Sequence, residues 1–302
     1  MWLAEQLLDH GVAEPGLVAG GGPATFDDQC AVDLGQDEGL VDREGLVDRE
    51  RQVGGDRRQV GLERVGAVVE DAAYAAQSAT RYAEGPVFLV GDAAHRFPPA
   101  GDTGMSAAMH DAHNLAWKIG MVARGHAGPG LLDTYEAERA PVGRRTAAET
   151  AAAWTRIFAG TGEPFAGRSL AQLDMGYQYA SAAVTGDGGP DADPPGADYI
   201  PGAAPGCRAP HLWLDSGRST IDLFDRDPVL LTAPAGGTWR EAAAAFGVPL
   251  TTVTIGQPAW PALYGVAPDG AVLVRPDGHV AWRARAAGPA GDLAAAARRA
   301  LS

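Results

Sequence analysis

The stretch Val87–Gly120 reads VFLVGDAAHRFPPAGDTGMSAAMHDAHNLAWKIG. Its first part, GPVFLVG from Gly85 to Gly91, is a short apolar run that ends in Gly-Asp. That pattern predicts a buried parallel strand stopping at a turn. A loop rich in glycine and proline follows. Beyond it Ala108, Met109, Ala112, Leu115, Ala116, Ile119 and Val122 recur at helical spacing, and Gly125 supplies a stop. Strand, turn and helix in this order place Asp92 at the carboxyl edge of a sheet, where open α/β folds receive their ligands. An ionised aspartate only accepts hydrogen bonds, so it suits a ribose or ribityl chain and repels phosphate. Gly101 and Gly104 let backbone approach a flat ligand closely. The helix beginning near Met105 would turn free N–H groups and its positive dipole end toward that ligand.

Working outward, Leu131–Trp154 is again helical, with a kink or break expected at Pro141. Glycine and proline crowd residues 160–206, which read as a linker over the surface. A third pattern begins near Cys207. Pro228–Ala233 and Leu250–Ile255 read as strands, and Thr238–Val248 reads as a helix between them. Ala271–Ala284 reads as a hairpin around Asp277-Gly278, and the chain closes on a helix. The amino-terminal part differs. It holds a tandem six-residue repeat, EGLVDREGLVDRE from Glu38 to Glu50, then a run dense in charge and glycine. Six does not match the helix period, and the composition predicts a poorly ordered or loosely helical segment.

The 302 residues suffice for about two domains, and 46% hydrophobic residues can build a sizeable core. A net charge of −14 argues against nucleic acid and anionic membranes as partners. The two cysteines, Cys30 and Cys207, form neither a disulfide framework nor a zinc cluster, and a reducing cytoplasm fits them. No signal peptide and no apolar run of membrane-spanning length is read.

At this point the chain resembles a known family. VFLVGDAAHRFPPAG (Val87–Gly101), Gly104-Met105, DAHNLAWKI (Asp111–Ile119) and LLDTYEAERAPV (Leu131–Val142) stand in the order and spacing of the flavin-dependent aromatic hydroxylases. The type is that of p-hydroxybenzoate and phenol hydroxylases, in the branch that hydroxylates aromatic polyketides. PGCRAPHLWL (Pro205–Leu214), STIDLF (Ser219–Phe224) and VLVRPDGHVAWR (Val272–Arg283) resemble that branch's thioredoxin-like tail. The resemblance runs from about Tyr82 to the last residue.

It implies an α/β chain: a partial FAD-binding, Rossmann-like domain followed by a thioredoxin-like α/β domain. On that reading residues 1–65 are irregular, 66–160 are the later part of the FAD-binding domain, 161–204 are linker and 205–302 the thioredoxin-like domain. The resemblance implies FAD, with NAD(P)H as reductant, a small aromatic substrate, and transfer of one oxygen atom from O2 to the ring. It assigns cofactor contacts to Asp92, Pro99, Gly101, Gly104, Met105 and Ser106. Asp92 would take the ribityl hydroxyls, and the backbone around Gly104, Met105 and Ser106 the pyrimidine edge of the flavin. No catalytic acid or base is named.

Two departures stand out. The family reads G-G-x-G-M-N where this chain reads GDTGMS, so Asp102 replaces a glycine and Ser106 an asparagine. The G-x-G-x-x-G turn for the pyrophosphate has no convincing counterpart, VAGGGPAT (Val18–Thr25) being a poor match. The alternatives are therefore a non-catalytic remnant or interaction module, or a half-enzyme completed by another chain; a homodimer is a further option. His95, His110 and His113 read as solvent-facing or hydrogen-bonded rather than metal-binding, and Arg96 as facing a flavin phosphate or pairing with surface acids. The thioredoxin active-site position is occupied by Pro234–Gly237, without cysteine, so the tail reads as structural or dimer-forming. Trp213, Trp239 and Trp282 are expected in the core.

Overall fold

The computed structural model describes residues 31–33, 62–64, 76–189 and 198–302. The tandem repeat and Val18–Thr25 lie outside the described residues, and from the first 65 residues only two short strands are described. These are β1 (Ala31–Asp33) and β2 (Leu62–Arg64). Then come β3 (Gln77–Ala79), β4 (Ala83–Glu84), β5 (Val87–Leu89) and β6 (His95–Arg96). They build two small sheets in the orders β1-β5-β4 and β2-β3-β6. The expected parallel strand at Val87 is antiparallel to both neighbours. Its run is only three residues long and Val87 faces outward, so the apolar run identified a strand but carried no information on its partners.

Helix α1 spans Thr103–Ala123 and α2 spans Gly130–Ala159. The break expected at Pro141 does not occur. Pro141 lies on the exposed face, and so does Ala137, whose carbonyl the proline leaves unbonded. Water can satisfy that carbonyl, which lowers the cost of an internal proline. The helix stops at Gly160, which takes a left-handed φ of 62°. Tyr82, Phe88, Leu115 and Tyr135 form the core between these helices and the first sheets.

Residues 161–204 do more than cross the surface. Helix α3 (Leu170–Met175) lies within them, capped by the Ser169 hydroxyl, which accepts from the Gln172 N–H at 3.1 Å. Tyr177, Tyr179 and Ala183 beyond it are buried. The composition signalled a loop, whereas tyrosines at that spacing supply enough apolar area to be drawn into the core.

The last part alternates strand and helix: β7 (Val229–Thr232), α4 (Gly237–Ala244), β8 (Thr251–Thr254), α5 (Trp260–Tyr264), β9 (Ala271–Val274), β10 (Val280–Ala284) and α6 (Ala290–Ala300). The sheet order is β10-β9-β7-β8, with β7 and β8 parallel and the other pairs antiparallel. That is the thioredoxin-like arrangement. Successive side chains point to opposite faces, and both faces are covered. Val229, Leu231, Val272 and Val274 pack with Trp260 and Tyr264 on one side. Leu230 and Leu273 pack with Trp239, Trp282 and Leu293 on the other. Each fully buried side chain of this size contributes about 1.5–3 kcal/mol. Of the three tryptophans expected inside, Trp239 and Trp282 are buried and Trp213 is 63% exposed. Trp213 sits in a loop and packs edge-on against His211 instead. No helix among the described residues is long and apolar enough to cross a membrane.

Candidate functional site

The turn after β5 is a single 3-10 turn, Gly91–Ala93, with Gly91 at φ +60°. A side chain at Gly91 would place its Cβ 3.1 Å from the Ala108 Cβ, so the turn lies directly on α1. The Gly91 N–H donates to Asp111 Oδ2 at 3.1 Å, which fastens the turn to the helix. Asp92 is the next residue. Its side chain is exposed and makes no hydrogen bond or ion pair among the described residues.

The loop then leads to the start of α1. Pro99 is exposed. Gly101 has φ +79°, and a Cβ there would come within 2.5 Å of Leu170 and 2.8 Å of Phe165. Asp102 takes the N-cap position in the left-handed region, φ 51° and ψ 32°, and its side chain does not cap the helix. Gly104 has open space where a Cβ would stand. Met105 is 73% exposed, and Ser106 is hydrogen-bonded to Asp174. The Thr103 Oγ1 is buried without a partner. The structure thus brings an unengaged carboxylate, an uncapped helix start and an open glycine together on one side of α1.

These features suit the ribityl and ring portion of a flavin. An exposed carboxylate can accept from hydroxyls, a helix start without a side-chain cap has free N–H groups, and Gly104 has open space beside it.

Beneath this surface lies a set of buried charges that the sequence reading missed. Asp111 Oδ2 is 2.7 Å from His95 Nε2, and Asp111 Oδ1 accepts from Arg139 Nε at 2.6 Å. Burial alone would raise the Asp111 pKa; the Arg139 guanidinium, with His95, outweighs it and holds the carboxyl below its usual range. One and two turns further along, Glu138 accepts from Asn114 Nδ2 at 2.7 Å and from Lys118 Nζ at 2.8 Å. Arg275, from the turn after β9, grips the same carboxylate with Nη1 at 2.6 Å and Nη2 at 2.8 Å. Its guanidinium also reaches Asp277. The Ser181 hydroxyl adds a donor to Glu138 at 2.6 Å. Burial opposes the charge on Glu138, and Arg275 and Lys118 overcome it, so its carboxyl lies far below the usual range. Lys118, desolvated by burial, is pulled down to about 8 despite Glu138 beside it.

This cluster ties the thioredoxin-like domain to the two helices that carry the candidate site. It also corrects the expected apolar face of α1. The buried residues are Thr103, Ala107, Asp111, Asn114, Leu115, Trp117, Lys118 and Met121, whereas Met109 is 56% exposed. Asp111, Asn114 and Lys118 are spaced by three and four residues. That polar stripe at the helix period was the available signal.

His110 and His113 do not meet a metal-type set. His110 Nδ1 lies 3.3 Å from the Tyr177 hydroxyl, and no metal-holding cluster occurs among the described residues. Arg96 is exposed. Cys207 is buried, away from the end of β7 where a thioredoxin carries its reactive pair.

Two family models match the chain: an FAD binding domain over residues 61–150, and the C-terminal part of the aromatic-ring hydroxylases over 202–302. A putative polyketide hydroxylase of Streptomyces halstedii is 40% identical over 281 residues, covering 82% of this chain and 50% of that protein. The crystal structure of the flavin-dependent monooxygenase PieE with FAD and substrate is 34% identical, with a TM-score of 0.67, covering 76% of this chain and 49% of that one. A ternary complex of aklavinone-11 hydroxylase with FAD and aklavinone is 35% identical, with a TM-score of 0.66, covering 76% of this chain and 46% of that one. The chain spans about half the length of the relatives it matches. Through those two matched stretches, the chain belongs to the FAD-dependent aromatic-ring hydroxylase family.

Proposed function

We propose that this chain supplies the ribityl and ring side of the FAD site in a cytoplasmic monooxygenase that hydroxylates an aromatic, polyketide-like substrate with NAD(P)H and O2. The observation that carries this reading is the unengaged Asp92 carboxylate, held by the Asp111–Gly91 bond beside the uncapped start of α1. The names of the relatives, polyketide and aklavinone hydroxylases among them, support the substrate class.

FAD would supply the reducing equivalents and the activation of O2. Asp92 would accept hydrogen bonds from the ribityl hydroxyls. The N–H groups at Gly104, Met105 and Ser106 would face the pyrimidine edge, where negative charge gathers when the ring is reduced. A helix start favours such charge by about 0.3–2 kcal/mol. Asp102, on the same loop, works against it. Pro99 and Gly101 would shape the loop that covers the ring, and Met105 and Met109 leave an apolar surface beside it.

The test is to titrate the purified chain into FAD, following flavin fluorescence and the visible spectrum. Saturable quenching, with a structured flavin band, is the expected result. A protein that leaves the flavin spectrum unchanged at high micromolar concentration would overturn the reading for this chain.

A further inference from the structure

We propose that the cleft between α1 and the β9–β10 hairpin, where Arg208 meets His110, Tyr177 and His279, binds a small carboxylate. The cleft adjoins the flavin-facing surface through Asp174, which is hydrogen-bonded to Ser106, but its assignment does not rest on the flavin reading.

The cleft has a volume of about 120 Å³. At ~30 Å³ per liquid water that is room for about four waters, or for a carboxylate carrying a few carbon atoms. His110 and His113 of α1 form one wall, Tyr177 and Tyr179 a second, and His279 of the hairpin a third. Its rings are fixed. Tyr179 and His279 have centroids 4.3 Å apart, and Tyr177 stacks on His279 at 5.7 Å.

The charge arrangement selects the ligand. Arg208 is half-buried, lines the cleft and has no acidic partner among the described residues. The other two guanidiniums nearby are engaged, Arg139 with Asp111 and Arg275 with Glu138 and Asp277. An unpaired guanidinium beside an aromatic wall matches the fork geometry of a carboxylate. The histidines do not add charge. Burial, then Arg139, His279 and Arg208, lowers His110 to about 3, and burial lowers His279 too. Both are neutral near pH 7 and serve as hydrogen-bond partners. Asp174 is the acid that faces the cleft without a cationic partner, and burial raises its pKa. It opposes a doubly charged anion more than a singly charged one, which favours carboxylate over phosphate. A cation would meet Arg208 directly.

The experiment is a titration of the full chain with acetate and with benzoate, read from the ring resonances of His110 and His279. A saturable shift is expected, weakened about tenfold or more in Arg208→Gln. Arg208→Lys, which keeps the charge and loses the fork, should fall between. Asp174→Asn should tighten binding. Thermal melts of each variant verify folding, since Arg208 has no partner to lose. The absence of any saturable shift with either carboxylate overturns the proposal. So do equal affinities for wild type and Arg208→Gln, or phosphate binding at least as tightly as acetate.

Discussion

Glu138→Gln should be the most damaging conservative change in this protein. Glu138 is fully enclosed and takes charged donors from Lys118 and from both Nη atoms of Arg275, together with Asn114 and Ser181. The amide keeps the shape and removes the charge. Two buried cations then share Asp277 alone, and the new NH2 group faces donors. Breaking a buried pair by neutralising one member costs about 3–5 kcal/mol. A loss near 3 kcal/mol corresponds to a fall of about 6–12 °C in Tm. Adding Lys118→Met to Glu138→Gln removes one of the stranded cations. The double variant should recover part of the loss, a coupling of about 1–3 kcal/mol. Urea melts and calorimetry of the four proteins in the cycle measure both quantities. A single-variant loss below about 1 kcal/mol, or a coupling near zero, would refute the view that this network holds the two domains together.

Asp92→Ala should weaken FAD binding about tenfold to a hundredfold with little change in Tm, because the side chain is exposed and holds nothing within the described structure; fluorescence titration reads it, and unchanged affinity would remove Asp92 from the site. Asp102→Gly should raise stability by about 0.5–1 kcal/mol by relieving the left-handed φ of 51°, and it removes a repulsive charge near the ring; a thermal melt in which the variant is less stable contradicts this. His110 should show no imidazole titration between pH 5 and 8 by NMR, its pKa being lowered to about 3. The unfolded chain takes up that proton near 6.5 and the folded one does not, so stability falls as the pH drops from about 6.5 towards 3. Below about pH 4.5 the carboxyls of Asp111, Glu138 and Asp277 add to the loss, since each is held below its ordinary value in the fold. A Tm that is flat from pH 7 to 4 would count against both assignments.

The candidate site was largely legible because its elements are local. Gly-Asp at a strand end, glycines in the loop and a helix start soon after lie close together in the sequence, and the structure has a turn at Gly91–Ala93 and a helix from Thr103. The thioredoxin-like part was legible for the same reason, since alternating strands and helices with both faces covered leave continuous apolar runs. Where the reading failed, the deciding partner lay elsewhere in the chain. Val87–Leu89 looked parallel until Ala31–Asp33 and Ala83–Glu84 proved to be its neighbours. Trp213 looked like core until its loop turned it outward.

By itself, the sequence determined the local machinery: the turn bearing Asp92, the helix that starts after the glycine loop, the absence of thiols at the end of β7, and the family. Only the tertiary structure decided which face of α1 is buried. An apolar count over Ala108, Met109 and Ala112 pointed one way. Asp111, Asn114 and Lys118 face inward because Arg139, Glu138, Arg275 and Asp277 arrive from residues up to 163 positions away to satisfy them. A charged side chain carries a large desolvation penalty alone and a small one when paired. Burial of such a group therefore depends on partners that no local stretch of sequence contains.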